Sequence, residues 1–362
     1  MKTTKWAKTK FALAVAAVLT IGLMMFVGAQ VRNQTTSGAG TGKGNELKAA
    51  DYQMSGPYTH ANLTVFLIYG PNTIGARNFL TLEEALVQKK VIVFETKSVN
   101  ELAIQNLSNQ DVYVQAGDIV KGGQQDRMLG VDLIVPAHSR KIPIAAFCVE
   151  SGRWTKRGNE QAGTFGSSSE VAATRELKLA AKLKGSQGDV WKNVAVAQDK
   201  LSQNVGARVN AAESESSLQL AVENPKVQQT ADNYLKELSH IVYTKRNVIG
   251  YVFAINGKVN SADVYASSGL FRKLWPKLLK ASAIEAIAEL RKDQMFEPAT
   301  VDNARSFLSD SENPAPSEKE VTGKVRLVTR EDKENVFFET RAAAPTATGK
   351  DEWVHRNYIK KN

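Results

Sequence analysis

Between Val91 and Val149 the chain alternates apolar stretches with shorter polar breaks: "VIVFET", "ELAIQNLS", "VYVQAGDIV", "RMLGVDLIV" and "KIPIAAFCV". Stretches this short, rich in β-branched residues, are strands rather than helices. The breaks carry Asn, Asp and Gly and leave no room for the helical crossover that parallel neighbours need. A mostly antiparallel β unit is predicted here. Upstream, "LTVFLIY" at 63 to 69 is apolar on both faces and reads as a central strand. Thr81 and Glu84 have the spacing of a capping box, so a short helix should start there.

From Ser168 the period changes. "SSEVAATRELKLAAKLK", "GDVWKNVAVAQDKLSQNV" and "ADNYLKELSHIV" are predicted helices. "NVIGYVFAINGKVNSADVYAS" is a predicted hairpin turning on Asn256–Gly257, since both positions accept positive φ. "LFRKLWPKLLKASAIEAIAELRKD" is a long helix that Pro276 should kink or begin. Residues 310 to 320 read as an exposed linker, "GKVRLVTR" with "NVFFETRA" as a closing hairpin, and "EWVHRNYIKK" as a last strand. The predicted fold class is α+β: an antiparallel β-rich N-terminal half packed with a helical C-terminal half that carries its own β-hairpin. One main domain is expected over 57–310, with 311–362 as a C-terminal extension closing it.

Lys2, Lys5, Lys8 and Lys10 precede an apolar run from Phe11 to Val27, and "VGAQ" follows. This is the layout of a signal peptide or signal anchor over 1–29, with a flexible linker over 30–56. An exported chain is expected: periplasmic, secreted, or anchored by an uncleaved N-terminal helix. The membrane is met only through that segment. The single cysteine, Cys148, leaves no internal disulfide, so the core must stand without one. The net charge is +10. Four of those charges are the first lysines, and no concentrated cationic stripe with stacking aromatics follows, so nucleic acid is not an expected partner.

The stretch "GGQQDRMLGVDLIVPAHSRKIPIAAFCVESGRW" at 122 to 154 has polar ends and apolar middles. Pairing 127–135 with 142–150 antiparallel, so that 131 faces 146, matches the apolar rows and sets Arg127 opposite Glu150. The polar ends then meet: Gln125, Asp126 and Arg127 from one strand's start, Glu150, Arg153 and Trp154 from the other's exit. One reading is a strand-end ion pair. The other is a polar pocket for a phosphate or carboxylate, with Trp154 as a stacking surface. Asp126 and Glu150 are the candidate catalytic bases if the site is an enzyme's.

Sharper chemistry has less support. Cys148 lies mid-face among Ile144 and Ala146, far along the hairpin from His138, and reads as buried and inert. "GGQQDR" lacks the Gly-Lys-Ser/Thr of a phosphate-binding loop. His60, His138, His240 and His355 are scattered without ligand spacing, so no metal site and no cofactor are predicted. Trp191, Tyr251 and Trp275 read as core, and Arg272, Lys273, Lys277 and Lys280 as a solvated helix face.

"GDIVKGGQQDRMLGVDLIVPAHSRKIPIAAFCVESGRW" and "VIGYVFAINGKVNSADVYASSGLFRKLWPKLL" resemble the ARG and Rhodanese-Phosphatase-superfamily-associated domain family. That resemblance implies a link to ADP-ribose or nucleotide-related metabolism and supplies no catalytic residues. The family motif spans Gln125, Asp126, Arg127, Glu150, Arg153 and Trp154. The expected function is binding or sensing of a small anionic ligand, ADP-ribose or nucleotide-like. The alternatives are a hydrolase acting on such a ligand, or a non-enzymatic envelope scaffold that binds protein.

Overall fold

The computed structural model describes residues 47–74, 77–172, 174–342 and 352–361. The expected signal segment and most of the expected linker lie outside the described residues. Among the described residues no helix is long and apolar enough to cross a membrane. The chain is α+β, with antiparallel strands dominating the first half and helices the middle and C-terminal region.

An eight-stranded antiparallel sheet runs in the order Gln53–His60, Leu63–Tyr69, Val248–Ile255, Lys258–Tyr265, Glu352–Lys360, Asn335–Ala342, Val325–Glu331, Pro316–Thr322. The expected Asn256–Gly257 turn is present, with φ of 50° and 75°. At Gly257 a Cβ would meet the Glu297 carbonyl oxygen at 2.0 Å, so a side chain is excluded there on space as well as on dihedral. The expected hairpin is formed, Val248–Ile255 pairing antiparallel with Lys258–Tyr265. One strand pairs with Leu63–Tyr69 and the other with Glu352–Lys360, so it forms the centre of the sheet.

The predicted β unit is a closed barrel of Ile142–Cys148, Glu101–Asn106, Val91–Glu95, Thr164–Ala172, Asp118–Gly122 and Arg127–Leu129. A small sheet of Leu80–Thr81, Val112–Val114 and Leu133–Val135 lies beside it in sequence. The capping box is formed: Thr81 Oγ1 accepts from Glu84 N, and the Glu84 carboxylate accepts from Thr81 N at 2.9 Å. The helix Ser268–Ala288 packs on Val248–Ile255 of the large sheet and on Thr164–Ala172 of the barrel.

Several expectations are corrected. Ser168–Ala172 belongs to a barrel strand, and the helix begins only at Arg175, because closing the barrel requires that strand. Pro276 does not begin its helix, which runs through it from Ser268 to Ala288. The lost backbone bond is offset by burial of Leu274, Trp275, Leu278 and Leu279 on either side of it. The 310–320 linker is the end of the helix Val301–Glu312 and the exposed edge strand Pro316–Thr322, whose Glu318, Lys319 and Glu320 guard an open sheet edge. At the other end, a 3-10 turn at Ala49–Asp51 and the edge strand Gln53–His60 carry ordered structure back past Pro57. The cations on the long helix are not all solvated. Lys273 Nζ bonds the Phe79 carbonyl at 2.8 Å and Glu84 at 3.1 Å, and Lys277 pairs with Asp118 at 2.8 Å. Trp275 and Tyr251 are core, whereas Trp191 is 37% exposed.

Candidate functional site

Arg127–Leu129 and Ile142–Cys148 pair antiparallel, with Ala146 opposite Leu129 and Cys148 opposite Arg127. The expected register set 148 opposite 129, so the true register is shifted by two residues. Faces are preserved, since side chains alternate with period two. The long hairpin does not form. Leu133–Val135 leaves for the small sheet, where it pairs with Val112–Val114, and the first half of Ile142–Cys148 pairs with Glu101–Asn106. The expected Arg127–Glu150 pair is therefore absent.

The polar ends still meet, with different partners. The Glu150 carboxylate accepts from Asp126 N at 2.7 Å, Ser214 Oγ at 2.7 Å and Arg153 Nε at 3.0 Å, and Arg153 Nη2 also bonds it. Arg157 grips Asp126 with two bonds, at 3.0 and 3.2 Å, and reaches Glu160 at 2.7 Å. Asp126 Oδ1 also accepts from Gly122 N at 3.1 Å. Gln125, Asp126 and Glu150 are buried, while the two arginine side chains keep 11% of their surface exposed. At Gly123, with φ of 58°, a Cβ would meet the Phe165 ring at 2.3 Å, so the turn into Gln125 needs glycine.

Burial works against ionisation of both acids, and their surroundings decide the outcome. For Asp126, burial and the neighbouring Glu150 charge outweigh Arg157, and its pKa rises. For Glu150, the bonds from Arg153, Asp126 N and Ser214 outweigh burial, and its pKa falls. The two carboxyls are thus driven apart.

Arg127 is completely buried. Its Nη1 donates to the Val99 carbonyl at 2.6 Å and its Nη2 approaches Glu95 at 3.5 Å. Its Nε has no acceptor among the described residues. The Trp154 ring lies over the guanidinium, 5.4 Å to the centroid, and is 44% exposed. Cys148 is buried and its thiol is pushed up to about 11 by burial, which leaves it un-ionised at neutral pH. Its backbone is held at both ends by the Gln187 side chain, at 2.8 Å to N and 2.8 Å to O. Trp191 Nε1 donates to the Glu150 carbonyl at 3.0 Å. The helix Gln187–Val205 therefore fixes residues 148 to 150.

A second charged cluster was missed from sequence. His355 stands between two carboxylates, with Nδ1 3.2 Å from Asp132 and Nε2 3.0 Å from Asp263. Lys182 reaches Asp132 at 3.0 Å, and Lys178 stands 3.9 Å from Asp263. Thr340 Oγ1 and Ala116 N also donate to Asp132, at 2.7 and 2.8 Å. All these charged side chains are buried. The signal lay in polar residues inside otherwise apolar strands: Asp263 in "SADVY", His355 and Asn357 in "VHRNY". Among the described residues no three His, Cys, Asp or Glu side chains form a group that could hold a metal ion.

The model of the ARG and Rhodanese-Phosphatase-superfamily-associated Protein domain matches residues 51–359. The chain belongs to this family. The match takes in the barrel, the large sheet and both charged clusters. No curated protein and no solved structure matches the chain.

Proposed function

We propose that the chain is an exported binding domain for a small anionic ligand, ADP-ribose or nucleotide-like, taken up at the cluster of Gln125, Asp126, Arg127, Glu150, Arg153 and Trp154. The observation that carries this reading is the buried Arg127 guanidinium with an unpartnered Nε beneath a half-exposed indole. A buried N–H without an acceptor is costly, and a ligand oxygen would satisfy it. The indole face suits a base or sugar ring. Arg153 and Arg157 at the rim add planar donors matched to phosphate and carboxylate. Because Arg127 is sealed, Trp154 must move for a ligand to reach it. The family's association with rhodanese-phosphatase proteins agrees with an anionic ligand. No nucleic acid and no cofactor enter this reading.

The test is the melting temperature of the purified chain with ADP-ribose, nucleotides and sugar phosphates. At about a hundred times Kd a ligand stabilises by about 2.7 kcal/mol, a rise of a few degrees. Trp154→Ala should abolish that rise while leaving the unliganded melt nearly unchanged. A chain that no probe shifts belongs instead to the scaffold reading. Export is tested separately, by a reporter active only outside the cytoplasm fused after residue 60. A silent reporter overturns it.

A second reading has its own support. Opposite pKa shifts in neighbouring carboxyls are the pattern of an acid and base pair. On that reading Asp126 donates a proton and Glu150 accepts one in hydrolysis of the bound ligand, once Arg157 and Arg153 turn to it. Turnover of ADP-ribose or a sugar phosphate, lost in Asp126→Asn, would favour it over simple binding.

A further inference from the structure

The buried cluster around His355 joins parts of the chain that are far apart in sequence. Asp132 comes from the connection between barrel strand Arg127–Leu129 and the small sheet. Asp263 and His355 come from neighbouring strands of the large sheet. Lys178 and Lys182 come from the short helical segment Arg175–Leu183, whose second part is a π-helical turn. Tyr265 stacks on the imidazole at 4.5 Å, and Tyr113 meets it edge-on at 6.2 Å. Glu285 of the long helix lies within the field of Lys178, and Asp118, paired with Lys277, acts on Tyr265.

The geometry fixes the protonation state. An ionised carboxylate only accepts hydrogen bonds. Asp132 is ionised, because Lys182, Thr340 and Ala116 N all donate to it. Asp263 takes Asn357 Nδ2 at 2.9 Å on the same oxygen that faces His355. Both ring nitrogens of His355 thus face acceptors, and both must carry a proton. Two carboxylates stand between the imidazolium and two ammonium groups, so each aspartate is shared by His355 and one lysine.

We propose that His355 is held as an imidazolium strut between the two β systems, and that loss of its second ring proton is the switch that loosens the seam between them. A neutral imidazole donates from one nitrogen alone. Its other lone pair then faces a carboxylate oxygen at about the same separation, and attraction becomes repulsion. Asp263 has few donors, and its Oδ2 has no hydrogen bond among the described residues, so the remaining proton stays with it on Nε2. Asp132 is the partner that loses its bond. The raised pKa of His355, in which the two aspartates overcome burial, agrees with this arrangement. The seam also leads toward the candidate ligand site. The segment bearing Lys182 continues to Gln187, which holds Cys148.

The test uses the full chain with nitrogen-15 histidine. The four histidines are assigned by His60→Gln, His138→Gln and His240→Gln variants. At pH 6.5 both His355 nitrogens should give imidazolium shifts. A single-tautomer pattern there overturns the strut. As pH carries His355 through its titration, hydrogen-exchange protection at the Ala116 amide, which donates to Asp132, and across 175–183 should fall about tenfold relative to Val248–Ile255. Unchanged relative protection overturns the switch. Lys182→Met removes a competing cation from Asp132, so it should move the His355 titration upward. A downward or absent shift also counts against the strut.

Discussion

Two charged clusters flank the barrel, and they are built for different fates. Around Asp126 and Glu150 the counter-charges are arginines on a loop, each partly open to solvent. Around Asp132 and Asp263 the counter-charges are two lysines and an imidazolium, all enclosed. Both clusters contain two carboxylates in a low-dielectric setting. The difference lies in whether water or a ligand can replace the cation. At the rim an arginine can exchange its carboxylate for an incoming anion. In the interior the cations are enclosed, and Asp132 alone ties together Lys182, His355, Thr340 and the Ala116 amide. Similar composition thus yields a cluster whose cations reach solvent in one place and one whose cations are enclosed in the other.

Breaking the interior lock should have the largest effect. Asp132→Ala strands Lys182, His355 and the Ala116 amide without their acceptor, and should lower unfolding free energy by about 3–5 kcal/mol, read by urea titration at pH 7. A loss under about 1 kcal/mol would mean the cluster is not a lock.

The interior should also carry the pH dependence. Burial and the neighbouring Glu176 raise the Glu285 carboxyl from 4.5 to about 7. A raised pKa means the native state holds the proton more tightly. The associated stability is full below the unfolded value and is lost as pH rises through about 7. His355, also raised, acts in the same direction, whereas the depressed Asp132 and Asp263 withdraw their contribution only as pH falls below the ordinary aspartate range. Glu285→Gln should therefore be more stable than the parent at pH 8, by about 2 kcal/mol, and the gap should close by pH 4. A constant gap between those pH values would contradict the assignment.

At the rim, Arg153→Ala should cost only about 1 kcal/mol, because Glu150 keeps the Asp126 amide and Ser214 and becomes open to water. If its cost equals that of Asp132→Ala, the distinction between the clusters collapses. Smallest of all, Trp154→Ala should move the unliganded midpoint by under about 0.5 kcal/mol, since its ring is half exposed. Calorimetric melting checks it, and outright unfolding would remove the indole from the ligand-binding account.

Much of the fold was legible because it rests on local chemistry. Thr81 with Glu84, the Asn256–Gly257 turn and the last three strands are signalled within a few residues of themselves. Pairing over distance was not. Leu133–Val135 is as apolar as Arg127–Leu129, and nothing in its composition says that it joins a different sheet. Alternation fixed the faces of the candidate hairpin but could not separate two registers differing by two residues. The meeting of Asp126, Glu150 and Arg153 was legible for the same reason, while their pairings were not. Arg157, which clamps Asp126, sits in a loop whose course follows no period. His355 looked isolated since its partners Asp132 and Asp263 lie 223 and 92 residues away.

The order of strands in the large sheet bears on how the chain is made. Leu63–Tyr69 is almost wholly buried and finds its inner neighbour only in Val248–Ile255. The hairpin that covers it is itself bordered by Glu352–Lys360. During synthesis one of the most apolar strands must wait unpaired on its inner edge for most of the chain, and the sheet is joined across its middle only by the final strand. An interrupted chain lacking 352–361 keeps every helix yet exposes two long strand edges, the kind of surface that invites aggregation and that chaperones exist to shield. Pairing of Glu352–Lys360 is thus the step that closes the large sheet.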